Sequence, residues 1–450
     1  MSKRTVSKEV YDIDGKPPFR EAFPLAIQHV LAMFAGNVTV PIIVAGAIGA
    51  ADERAFLIQC AMLVAGLATL LQVYRIGKMG AKLPIVMGTS FGFVPTSIAI
   101  GNAFGLSGLL GATLIGGIFE AFLGFFIKPL RKFFPPIVTG IVLLTIGLSL
   151  LPTGITYVAG GNGAEDFGGL NHLFLAAVVL ITIVLLNQFA KGMAKMSAIL
   201  IGIIVGYIVA IPMNMIDFSG VAQASWFGFP TPLKYGLTFH WEAISAMIVL
   251  YIVTAVETVG DISGITIGGA DREATDEELS GGVIADGVAS AVGSLFNALP
   301  NTSFSQNVGI VSFTKVMSTH VVKIGGIFLA LSALVPKLGA LIAAMPSSVL
   351  GGAAIVMFGS IAVMGIKLIS SEPLGNREVL ILSIALCLGF GFGTVDGALS
   401  AFPESVQNVF GGSGIVIGFL VATLLNAILP KEKEEKTHQK KYKKTAEHTA

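Results

Sequence analysis

Apolar residues fall in long runs along this chain, at roughly 22–48, 55–74, 83–101, 106–128, 135–152, 170–190, 196–214, 241–261, 283–298, 303–317, 321–343, 348–370, 377–396 and 411–429. Most are close to the ~20 residues a helix needs to cross ~30 Å of hydrocarbon. The alternating tenmers of a membrane barrel are missing. The pattern predicts an all-α polytopic membrane protein of fourteen segments. The third and tenth runs are broken by Gly and Pro, and each is too brief to span the bilayer as one helix.

Charge agrees with this division. The 450 residues include 28 Lys+Arg and 27 Asp+Glu, or 12% charged, about half the share in a soluble domain. Residues 1–21 hold nine of these charges and residues 430–450 hold eleven. Hydrophobic residues make up 54%, far more than one soluble core could hide. That excludes a soluble enzyme and a nucleic-acid binder. Cys60 and Cys387 lie in apolar runs, so neither a disulfide framework nor a metal site is expected. The arm MSKRTVSKEVYDIDGKPPFR has no apolar stretch of the kind a cleavable signal peptide needs, and none is expected.

Basic residues set the orientation. With the N-terminus in the cytoplasm, the inner loops of the first half carry Arg75, Lys78, Lys82, Lys128, Arg131, Lys132, Lys191 and Lys195, and the outer loops only Arg54 and Lys234. An even number of spans returns the tail, Lys431 to Lys444, to the cytoplasm. Asp396 and Glu404 read as mouth residues.

A shift of 213 residues superimposes the spans of one half on those of the other. Thr89-Ser90-Phe91 then meets Thr302-Ser303-Phe304, and at a shift of 211 Pro135 and Gly140 meet Pro346 and Gly351. Seven spans per half is odd, so the second half enters from the opposite side, giving a 7+7 inverted repeat. In secondary transporters of that kind, substrate binds near the midplane at interrupted helices. The interrupted segments here are 83–97 and 299–315. There is no G-x-x-x-x-G-K-[ST] sequence for ATP-driven pumping.

Polar residues at membrane depth are costly and therefore informative. Gln28 and His29 sit together in the first run. Glu257 and Asp261 stand at i and i+4 on one helix face, and Asp286 lies in VIADGVASAVG. Two carboxylates about 6 Å apart at an effective dielectric of ~20 repel by roughly 3 kcal/mol, a cost that a single proton held between them relieves. Such a site makes proton coupling feasible. The Thr/Ser run at 302–305 is expected to cap the helix that follows it, leaving backbone N–H groups aimed at the membrane centre. Gln306 offers a donor and an acceptor, and Phe91 or Phe304 a stacking face. This set suits a planar heterocycle with N–H and C=O groups better than an amino acid or a sugar.

At these residues the chain resembles the nucleobase–ascorbate transporter family (nucleobase:cation symporter-2). Its signature is Gln, Glu or Pro, then Asn-x-Gly, four free positions, Thr, and Arg, Lys or Gly. Gln306-Asn307-Val308-Gly309 through Thr314-Lys315 meets every position. Gln at the first position resembles the xanthine and uric-acid permeases. The resemblance implies a core domain (22–128 and 241–343), a gate domain (129–214 and 344–429), cytoplasmic ends (1–21 and 430–450) and short antiparallel strands in segments 3 and 10. It also implies a homodimer in the cell membrane that moves its substrate by an elevator motion, with protons and no cofactor. In matching positions, Glu257 accepts purine N–H groups, Gln306 holds the opposite edge, and Ser90, Phe91 and Phe304 supply backbone and stacking contacts. Asn307 and Gly309 shape the site, while His29, Asp261 and Asp286 support proton coupling.

Besides a passive channel, which would need no titrating carboxyl, three alternatives stand beside this reading. One is a uracil or broader nucleobase permease, and another a sulfate- or bicarbonate-type anion carrier of similar fold. The third is an intramembrane enzyme using Ser303, His320 and Asp286, which lack any recognised catalytic spacing.

Overall fold

The long apolar runs fold as helices. The computed structural model describes residues 8–127, 135–371, 373–395, 397–403, 406–407, 410 and 414–430. Lys128, Arg131, Lys132, Asp396, Glu404 and the Lys-rich tail lie outside the described residues. The first helices are α1 (Phe19–Ala47), α2 (Arg54–Tyr74), α3 (Val94–Gly124), α4 (Pro136–Val158), α5 (Leu170–Phe189) and α6 (Ala198–Ala210). The later ones are α7 (Trp241–Ala270), α8 (Asp276–Leu295), α9 (Ser305–Thr314), α10 (Thr319–Ser332), α11 (Pro336–Ala343), α12 (Ser347–Ile369), α13 (Asn376–Thr394) and α14 (Gly414–Ile428). Among the described residues, eight helices are long and apolar enough to cross a membrane, or nine with a bent pair counted as one. The chain is a multi-pass membrane protein.

Several boundaries differ from the hydropathy pattern, each for a local reason. The run at 321–343 is two helices, α10 and α11, bent by 84°. Pro336 opens α11 and has no N–H with which to continue α10. α8 begins at Asp276, before its apolar run. Thr275 accepts from the Glu278 N–H while Glu278 accepts from the Thr275 N–H, a capping box with three acids in the first turn. α3 holds two segments joined at Gly105, whose φ of 70° and ψ of −175° suit glycine.

Both interrupted segments contain a short strand, as expected. β1 (Met87–Thr89) pairs antiparallel with β2 (Asn301–Ser303), Gly88 opposite Thr302. The Ser90 N–H donates to the Pro300 carbonyl at 3.1 Å and the Phe304 N–H to the Val86 carbonyl at 2.9 Å, extending the ladder by one bond at each end. Two three-residue strands cannot stand alone, and helix side chains complete their hydrogen bonding. The Asn37 amide oxygen accepts from the Thr89 N–H at 2.9 Å, and the Ser290 hydroxyl exchanges bonds with the Asn301 backbone.

Two glycine-lined seams bring helix backbones together, the packing that works where lipid provides no hydrophobic drive. Along α3 and α8, a Cβ added at Gly117 would lie 2.6 Å from the Gly287 carbonyl oxygen. Along α4 and α12, one at Gly140 would lie 2.9 Å from the Gly365 carbonyl oxygen. α7 also packs on α3, and α10 on α2 and α1; α5, α13 and α14 pack around α4 and α12. The strand pair joins the first of these groups, and the ends of both strands face the second.

Candidate functional site

Each strand hands the chain to a helix: β1 to α3 through the turn Phe91–Phe93, and β2 to α9. At the first break the Ser90 hydroxyl accepts from the Gly92 N–H at 3.2 Å. The capping expected at the second break does not occur, for no side chain caps α9. The hydroxyls are engaged by buried carboxyls instead. Ser303 and Ser305 donate to the two oxygens of Asp261 at 2.6 and 2.8 Å, and Thr302 donates to Asp286 at 3.4 Å. The N-cap position itself is held by Phe304, which has no side-chain acceptor.

The two breaks open onto one hollow. Its walls are Thr89, Ser90, Phe91 and Gly92 from the first break, Thr302 to Gln306 from the second, and Glu257 from α7. Leu143 and Ile146 of α4 and Ile361 and Met364 of α12 close the far side. Glu257 and Gln306 therefore share a single cavity. Both make no side-chain hydrogen bond to other described residues, whereas Asp261, one turn from Glu257, is fully engaged. An uncommitted acid and an uncommitted amide in a half-apolar cavity are what a polar planar ligand needs.

The rings fit because glycines make room. A Cβ at Gly36 would lie 2.8 Å from Phe304 Cε1 and 3.3 Å from Phe91 Cε2, and one at Gly88 would lie 2.7 Å from Phe304 Cε2. Phe91 also meets Phe358 of α12 edge-on, with centroids 5.7 Å apart.

Other motif residues sit behind the wall. Asn307 is fully buried, and its amide nitrogen lies 3.0 Å from both the Nδ1 and the carbonyl oxygen of His29. A carbonyl only accepts, so the amide nitrogen donates to it; Nδ1 then accepts as well, which leaves the ring proton on Nε2. Asn307 thus ties α9 to α1. Gly309 is off the wall, where an added Cβ would meet nothing within 4 Å. Thr314 bonds back to the Ile310 carbonyl at 2.8 Å. The Lys315 ammonium bonds to the Gly268 carbonyl at 2.7 Å and to Asp271 at 3.2 Å, capping the C-terminal end of α7 with positive charge.

Asp261 is 8% exposed and Asp286 fully buried. Asp286 is outside the hollow and accepts from Thr258 at 2.5 Å. One acid escaped the sequence reading. Glu120 lies in the apolar run at 106–128 and is fully buried, its carboxyl bonded to the Thr254 hydroxyl at 3.1 Å. The signal that singled out Asp286, an acid in an apolar run, applied equally to Glu120.

A family model, Xan_ur_permease, described as a permease family, matches residues 20–397. The chain is 41% identical to the uric acid permease PucK of Bacillus subtilis over 90% of this chain and 94% of that one. It is 35% identical to the xanthine permease XanQ of Escherichia coli over 94% of both. Among solved structures it is similar to the transmembrane domain of a cyanobacterium bicarbonate transporter, BicA, with a TM-score of 0.61, 15% identity and coverage of 92% of this chain and 100% of that chain. At that identity the likeness is one of fold.

Proposed function

Because the chain belongs to the nucleobase–ascorbate transporter family and is a permease, not an enzyme, we propose that it brings an oxidised purine, xanthine or uric acid, into the cell in symport with protons. The observation carrying this reading is the hollow shared by Glu257 and Gln306, both uncommitted. A carboxylate accepts from ring N–H groups. An amide donates to a purine carbonyl, which a carboxylate cannot do. Phe91 or Phe304 offers a flat ligand a stacking face, and Ser90 lines the same hollow. Each charge-assisted bond contributes roughly 1.5–3 kcal/mol.

Transport needs the site to face each side in turn. The hollow lies between the strand-bearing group of helices and α4 with α12. That position supports a core domain (22–128 and 241–343) sliding as an elevator against a gate domain (129–214 and 344–429), fourteen segments in two inverted sevens. The core carries both breaks and Glu257, so substrate and site travel together. The working unit is a homodimer in the cell membrane with both termini cytoplasmic.

Gln306 as the first motif residue favours an oxopurine over uracil. The likeness to a bicarbonate transporter is confined to fold and supports no anion substrate. Uptake of labelled xanthine tests the reading, with unlabelled urate, uracil, guanine and hypoxanthine as competitors and with or without a protonophore. Competition by oxopurines and collapse with the protonophore are expected. Uptake indifferent to both would overturn it.

A further inference from the structure

Behind the strand pair, α7 presents Tyr251, Thr254, Thr258 and Asp261 at spacings of three and four residues, one stripe along the helix. Glu120 of α3 and Asp286 of α8 face this stripe through their bonds to Thr254 and Thr258. Both acids are fully buried, and each has one oxygen, Glu120 Oε2 and Asp286 Oδ1, with no hydrogen-bond partner among the described residues. The two carboxyls interact with each other, and Glu120 also feels Glu257.

Among the described residues, no Lys, Arg or His forms an ion pair with either acid, and no group of His, Cys, Asp and Glu is arranged to hold a metal ion. The groups that face them are Tyr251, Thr254, Glu257, Thr258 and Asp261 of α7, Ser290 of α8 and Thr302 of β2. α3 and α8 meet backbone to backbone beside the two acids, where a Cβ added at Gly287 would collide with the Ala121 nitrogen. An ionised carboxylate without a partner in such a place is strongly disfavoured, and a proton is the smallest remedy. A protonated carboxyl also becomes a donor, and so answers a lone acceptor beside it.

We propose that Glu120 and Asp286 together hold a proton in this compartment, apart from the substrate hollow, and that Glu120 belongs to the proton-coupling machinery. The inference rests on the symport reading above. A polar path joins the two places. Thr258 donates to Asp286 and lies 3.4 Å from the Ser303 hydroxyl, which donates to Asp261, one turn from Glu257 at the hollow. Only a proton moves along it, leaving one carboxyl and neutralising the next.

The test compares wild type, Glu120→Gln and Glu120→Asp in lipid vesicles. Glu120→Gln keeps an acceptor for Thr254 and removes the titrating group. Infrared spectra at neutral pH are expected to show protonated-carboxyl C=O absorption in wild type and Glu120→Asp, and Glu120→Gln is expected to lose the residue-120 component while the Asp286 component remains. Glu120→Gln is also expected to keep xanthine exchange between equal concentrations and to lose accumulation driven by a proton gradient. An unchanged band, unchanged accumulation, or loss of exchange together with accumulation would overturn the proposal. Failure of the symport reading has a different mark: wild-type accumulation would ignore a protonophore, whatever the band does.

Discussion

The Thr258 hydroxyl donates to Asp286 at 2.5 Å and lies 3.4 Å from the Ser303 hydroxyl, so one side chain on α7 links a buried acid on α8 to the second strand. Ser303 in turn donates to Asp261. Asp261 and Asp286 each accept from a hydroxyl of the strand that forms a wall of the hollow, so a proton gained or lost on either is felt at that wall.

Replacing Thr258 by Val keeps the shape of the side chain and removes that link. Asp286 then loses its shortest bond, at a cost of about 1–3 kcal/mol for a buried acceptor left unsatisfied. We expect slower uptake at unchanged selectivity. The rate and the competition profile, measured together, check this.

Glu257→Gln is expected to abolish purine uptake while the protein still reaches the membrane. The variant keeps the size of the side chain and loses the charge that strengthens its bond to an N–H, a loss of about 1.5–3 kcal/mol or roughly ten- to a hundredfold in affinity. Uptake normalised to membrane protein level checks it, and retained transport would remove Glu257 from the site.

Gln306→Glu is expected to weaken xanthine binding and admit uracil, because the donor to a purine carbonyl is gone. Competition between labelled xanthine and unlabelled uracil checks it. An unchanged profile would break the link between this position and substrate class.

Gly36→Ala places a Cβ 2.8 Å from Phe304 Cε1 and 3.3 Å from Phe91 Cε2. The rings must shift by several tenths of an ångström, at a cost of about 1–3 kcal/mol for overpacking. A higher KM for xanthine is expected, with the protein still folded, as checked by uptake kinetics and thermal melting.

Much of this architecture was legible in the sequence, because a long apolar run has few fates other than a membrane helix. The breaks at 83–97 and 299–315 were visible as Gly, Pro and hydroxyl residues inside apolar surroundings. The bend at Pro336 was not recognised, since composition there stays apolar through the turn. The hollow's polar members followed from the cost of burying them, and Glu257 and Gln306 meet there. The capping expected of the Thr/Ser run failed because the helix starts one residue after Phe304, which takes the N-cap position and has no acceptor; the hydroxyls around it bond instead to Asp261 and Asp286, which arrive from other helices. Lys315 had no readable role for a similar reason, its partner Gly268 lying far back in the chain.

The most direct measurement is a structure of the protein with xanthine bound. The account predicts a flat ligand between Glu257 and Gln306, its ring against Phe91 or Phe304 and its edges hydrogen-bonded to both polar side chains. Xanthine seated elsewhere, or in the hollow but touching neither Glu257 nor Gln306, would contradict it.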